Sequence, residues 1–130
     1  MQISQSLSQA PYVSLATFRR SGVAVPTAVW CAEEGGDYFI FSAGAAGKVK
    51  RLSNSDRARL AVCDVRGRLL GEWHDALATV ISEPQDVARA LAALRRKYGF
   101  QMRVADIGAR LTGRFNKRAY IRVRLVENAS

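Results

Sequence analysis

The sequence predicts a mostly β fold, in which six antiparallel strands curl into a small, closed or partly closed barrel with flanking helices. Three observations predict it. Short runs rich in β-branched and aromatic residues recur along the chain. Most of them are separated by hairpin-length turns, which join antiparallel neighbours. The 130 residues fit one domain, residues 1–130, so six strands must share a core, and closing the sheet removes its exposed edges.

The elements follow in order. The Ser- and Gln-rich opening reads as a short helix through Ile3 and Leu7. Tyr12 to Phe18, YVSLATF, alternates in part and reads as the first strand. Arg19-Arg20-Ser21-Gly22 turns into a second strand, Val23 to Ala32. Pro26 marks that strand as an edge or a bulge, because proline has no N–H to donate. Glu33 to Asp37, with two glycines, is a hairpin turn, and Tyr38 to Ser42 is the third strand.

A small-residue loop, Ala43 to Gly47, then opens into a short helix, Lys48 to Ser53, with Val49 and Leu52 on one face. Arg59 to Asp64 is the fourth strand and Arg66-Gly67-Arg68 a turn. Leu70 to Ile81 contains the fifth strand, with Trp73 and His74 inside it. Ser82-Glu83-Pro84-Gln85 has the spacing of a capping box, with Pro in the first turn. Val87, Ala90, Leu91, Leu94 and Tyr98 fall on one helical stripe. Arg95-Arg96-Lys97 suit the negative end of the helix dipole, and Gly99 suits the position that ends it. Phe100 to Gly113 is ambiguous and stays unassigned. Ala119 to Val126 is the last strand.

Composition bounds the function. Hydrophobic residues make up 48%, too many for a disordered chain. No apolar run approaches the ~20 residues of a membrane-spanning helix. Met1 to Ala10 carries no basic residue and lacks the pattern of a secretory leader, so a cytoplasmic location is expected. Cys31 and Cys63 are expected to be plain core thiols. The net charge of +9 favours an anionic partner: nucleic acid, anionic lipid, or a small ligand bearing phosphate or carboxylate. The basic residues are spread along the chain, which argues against a nucleic-acid-binding arm.

Side-chain acid–base chemistry has little material here. The one histidine, His74, is followed by Asp75, and neighbours in a strand point to opposite faces. There is no serine-nucleophile motif and no metal-ligand spacing. Gly44-Ala45-Ala46-Gly47-Lys48 lacks the spacing and the Ser/Thr of a P-loop. An enzyme built from these residues would rely on a cofactor. The best constellation is Ser42 to Arg51. A flexible loop precedes a helix N-terminus, whose free N–H groups and dipole attract an anion. Lys48, Lys50 and Arg51 add formal charge, and Arg grips phosphate bidentately. The competing reading is a solvated basic helix face. Trp30 and Trp73 are either packing residues or a wall against a planar ring.

The joint spacing of ATFR, VPTAVW, GKVKRL, CDVRGR and LRRKYG resembles the pyridoxamine 5′-phosphate oxidase-like split β-barrels, specifically their flavin- and deazaflavin-dependent oxidoreductases. The likeness spans roughly Ala10 to Gly99. It implies a six-stranded antiparallel split barrel of the FMN-binding type and a homodimer with cofactor sites at the subunit interface. It implies a phosphate held by Ser42, Ala43, Lys48, Val49, Lys50 and Arg51, and a ring along Thr27, Ala28, Val29 and Trp30. Trp73 is a looser candidate for that ring, contributed by the partner subunit. Many relatives carry His where Thr27 follows Pro26, and Thr where this chain has Ser42. The hydroxyl for a phosphate is kept, while the substrate side is left open.

The implied activity is hydride transfer between coenzyme F-420, or FMN as second choice, and a small conjugated substrate. The net positive charge suits the phosphodiester and oligoglutamate tail of F-420. A carrier of flavin, deazaflavin or a haem-type tetrapyrrole, with His74 as the one histidine ligand, is the alternative. Nucleic-acid binding is a third reading, disfavoured because the aromatics fall at core positions.

Overall fold

The computed structural model describes residues 7–44 and 46–126. Ile3 of the expected N-terminal helix lies outside them; Leu7 to Gln9 are helical, and Leu7 is buried in the core. Seven strands form one antiparallel sheet: β1 (Tyr12–Phe18), β2 (Ala24–Val29), β3 (Cys31–Glu34), β4 (Asp37–Ala43), β5 (Arg57–Cys63), β6 (His74–Ile81) and β7 (Arg118–Leu125). Besides the helical turn at Leu7 to Gln9, three α-helices flank it among the described residues: α1 (Gly47–Asn54), α2 (Pro84–Tyr98) and α3 (Phe100–Leu111).

The strand order is β2-β1-β5-β6-β7-β4-β3. β2 and β3 lie at opposite edges of the sheet, yet only Trp30 separates them in sequence. The sheet must therefore curl until its edges meet. Alternation along each strand then gives two apolar faces. Val13, Leu15, Val29, Tyr38, Ile40, Leu60, Ala76, Ala78, Ile121 and Val123 fill the inside, with Leu52 of α1. Outside, Phe39, Ile81 and Tyr120 pack under Ala90, Leu94 and Tyr98 of α2 and Met102 of α3.

The seven strands correct the expected six. Val23 to Ala32 does not run as one strand, because the chain breaks at Trp30. The register changes from Val13↔Val29 on one edge to Cys31↔Ile40 on the other. α2 holds the bend. Tyr98 Oη accepts from Cys31 N at 2.9 Å and donates to Pro11 O at 3.0 Å. Lys97 Nζ donates to Ala10 O at 2.8 Å and also to Cys31 O. Trp30 stacks on Tyr98 with centroids 4.7 Å apart and rings 12° from parallel.

Three further expectations change. Trp73 lies just outside β6, which begins at His74. The capping box does not form: the N-cap is Glu83, without a side-chain capping hydrogen bond, and Pro84 opens the helix. The unassigned stretch Phe100 to Gly113 is mostly α3. Gly99, with φ 53°, makes the elbow between the two helices.

Candidate anion site at the end of β4

β4 ends at Ala43, and the chain enters α1 at Gly47. Gly44 makes this exit possible. Its N–H donates to Lys117 O at 2.9 Å, and a Cβ there would collide with that same oxygen. α1 begins without a side-chain cap at Ala46 and without an acidic residue in its first turn. Its first N–H groups therefore remain available to an anion.

Two pairs of side chains converge on this end. Lys48 Nζ donates to Ser42 Oγ at 3.3 Å. Burial, and then the Arg51 charge, pull the Lys48 ammonium below its ordinary pKa of 10.5. Arg51 Nε donates to Thr17 Oγ1 at 2.6 Å, and the guanidinium lies across Gly47, where a Cβ would come within 2.8 Å of it. No carboxylate pairs with Lys48, Lys50 or Arg51 among the described residues. Cations held by hydroxyls, beside an uncapped helix start, are a donor set that fits a phosphate.

The sequence-predicted residues do not all converge. Ser42, Lys48 and Arg51 come together, with Ala43 at the strand end. Lys50 is exposed, and Val49 is half-buried on α1. The residues expected along a ring do not form one wall. Thr27 and Val29 share a face with Leu15 and Val13, so they point toward the barrel interior, and Val29 is buried there. Ala28 alone of these strand residues faces outward, opposite Ser14. Trp30 turns under α2, against Tyr98 and Phe41. Trp73 is half-buried in the loop before β6.

Around Ala28 the outer face is made of small side chains. Ser14, Ala16 and Ala61 are buried there, and Ser14 Oγ is a buried polar atom without a hydrogen-bond partner. Gly67, in the loop after β5, passes over Ala28. That loop exposes Val65, Leu69 and Leu70. A second cleft, of about 610 Å³, lies between the end of β4 and α3, lined by Phe41, Ala43, Ala105, Ala109 and Arg118 among others.

Thr17 was not anticipated as part of the anion site. It is wholly buried, and the signal was there: in an alternating strand it shares the face of Leu15, where a polar residue needs a partner. His74 and Asp75 form no dyad, since Asp75 pairs with Arg59 at 2.9 Å. Cys31 and Cys63 are free and buried, and burial pushes the Cys31 thiol up to about 12.

Residues 2–126 match the family described as pyridoxamine 5′-phosphate oxidase. The chain belongs to this family. No curated protein sequence matches it. Solved structures of similar fold include HutZ, the haem storage protein of Vibrio cholerae, at TM-score 0.70 and 11% identity, covering 98% of this chain and 93% of that one. A conserved hypothetical protein from Mycobacterium tuberculosis aligns at TM-score 0.68 and 19% identity, over 98% and 88% of the two chains. An F-420 reductase aligns at TM-score 0.60 and 18% identity, over 95% and 93%. At these identities the likeness is one of fold. The pyridoxamine 5′-phosphate oxidase fold is thus present here as a curled antiparallel sheet with flanking helices, and no described helix is long and apolar enough to cross a membrane.

Proposed function

We propose that this protein binds coenzyme F-420, or FMN as second choice, and transfers hydride between it and a small conjugated substrate. The observation that carries the reading is the carboxylate-free start of α1, where Ser42–Lys48 and Thr17–Arg51 supply paired hydroxyls and cations. The F-420 reductase of similar fold supports the choice of deazaflavin, as does the net charge of +9 against an oligoanionic tail.

When bound, the deazaflavin or flavin supplies the hydride chemistry. The chain's own residues bind and orient. Lys48, Lys50 and Arg51 neutralise the phosphate, with the α1 N–H groups beside them. Half-buried Ala28, beside the Gly67 loop, would border the ring. The cleft beside β4 has the volume of a small-molecule site. Exposed Val65, Leu69 and Leu70, on the loop that crosses Ala28, support assembly as a homodimer that closes over the ring.

The test is a pair of fluorescence titrations, one with FMN and one with the deazaflavin. Saturable binding is expected, tighter for the deazaflavin. Replacing Lys48, Lys50 and Arg51 together by Ala should weaken it at least about tenfold, as expected for losing charge-assisted hydrogen bonds, with far-UV circular dichroism unchanged. No saturable change with either compound sinks the reading. A Soret shift with haem that His74→Ala abolishes would transfer the protein to the tetrapyrrole-carrier class, in line with its likeness to a haem storage protein.

A further inference from the structure

α3 has two apolar faces. Met102 is buried in the core that Tyr98 and Tyr120 share. The other face is uncovered: Phe100, Val104, Ile107 and Leu111 are 75%, 52%, 54% and 82% exposed. Positions i, i+4, i+7 and i+11 stack into one stripe, about 16 Å long at 1.5 Å per residue. Four large apolar side chains in a row on a surface mark an interface.

The flank of the stripe says what it meets. Arg95 from the last turn of α2 joins Arg103 and Arg110 around a groove of about 590 Å³, which Phe100 and Ile107 share. The one carboxylate of α3, Asp106, is buried and already engaged by Arg95 at 3.1 Å and Arg118 at 2.7 Å. Arg96 and Arg103 have no ion-pair partner among the described residues. The surface is apolar along its crest and cationic along its side.

A second copy fits this surface poorly. A two-fold axis through the stripe would set the cations Arg103 and Arg110, which flank it, against their own copies. An amphipathic helix lies in the interface of a bilayer with apolar residues at the acyl boundary and cations at the phosphates. The 12 residues of α3 are too few to span a membrane, so the helix would lie flat.

We propose that α3 docks this protein onto an anionic phospholipid bilayer, the stripe Phe100, Val104, Ile107 and Leu111 entering the acyl boundary while Arg95, Arg103 and Arg110 hold headgroup phosphates. The inference is independent of the cofactor. The experiment is co-sedimentation of the full chain with vesicles of phosphatidylcholine, alone or mixed with phosphatidylglycerol. Binding is expected only to the mixed vesicles, and it should weaken as salt rises. Phe100→Ser with Ile107→Ser, and separately Arg103→Glu with Arg110→Glu, should each lower partitioning more than about tenfold. These side chains are exposed, so an unchanged melting temperature certifies the fold. Failure to bind mixed vesicles overturns the proposal. So does a Phe100/Ile107 variant that reduces the size on gel filtration without changing vesicle binding, since that outcome assigns the stripe to a second copy.

Discussion

Lys48 gives a proton-linked handle on the site. Its pKa lies below the ordinary 10.5 because it is half-buried and faces Arg51. A bound phosphate anion favours the charged form and raises that pKa again, so binding takes up protons at alkaline pH. Affinity is therefore full while Lys48 is protonated and falls as pH rises through the depressed pKa, earlier than an ordinary lysine would allow. Titrating the cofactor from about pH 6 to about pH 10 should find this loss, and Lys48→Arg, which stays charged, should postpone it. An affinity flat across that range would remove Lys48 from the phosphate. At this scale the sequence was half legible. Ser42 and Lys48 meet across one short loop, so composition and spacing were enough to join them. The Thr17–Arg51 contact links residues 34 apart in sequence, and only the fold brings them together. The ring residues Thr27 to Trp30 came from the family resemblance, and the strand divides them, with Thr27 and Val29 toward the interior and Ala28 outward.

Among the elements, α2 and α3 make the contrast. α2 announced itself through one apolar stripe and a terminal glycine. α3 did not: its apolar stripe, Phe100, Val104, Ile107 and Leu111, faces outward, its core contact Met102 lies off that stripe, and Gly108 sits inside the helix, so the usual link between an apolar face and the core is missing. What fixes α3 is polar. Asp106 Oδ1 accepts from Arg118 Nη1 at 2.7 Å, and Asp106 Oδ2 accepts from Arg95 Nε at 3.1 Å. The Arg118 side chain is only 6% exposed and lies over Phe41 and Phe115. Asp106→Asn leaves that guanidinium buried without its counter-charge, which should cost about 3 kcal/mol in urea denaturation. A loss below about 1 kcal/mol, the level of a surface pair, would mean that α3 is held by apolar packing instead.

For the molecule as a whole, the number of strands and the way the barrel closes depend on one bend. Antiparallel pairing and a curled sheet were legible in the strand runs and their turns. The break at Trp30 was not, since Val23 to Ala32 carries a continuous β-forming composition, and its interruption comes from α2, more than 60 residues downstream. Tyr98→Phe tests this arrangement. It keeps the ring against Trp30 but leaves Cys31 N without its acceptor and Pro11 O without its donor. The expected cost is about 2 kcal/mol of folding stability, read by urea denaturation; an unchanged midpoint would show that the bend needs no clamp.

The position of β7 sets an order of assembly. It is the last strand of the sheet to be synthesised, yet it sits in the middle, between β6 and β4. Until it arrives, β2-β1-β5-β6 and β4-β3 are two ribbons joined through Trp30 at one crossing and through α1 at the other. Each presents an unpaired edge, of β6 and of β4, to whatever lies nearby. The strand that ends this exposure spans Tyr38↔Val123 and Ala43↔Arg118 on one side and Ala76↔Leu125 on the other. Such distant pairings form late, so both rims stay open to non-native pairing until this single insertion zips them together.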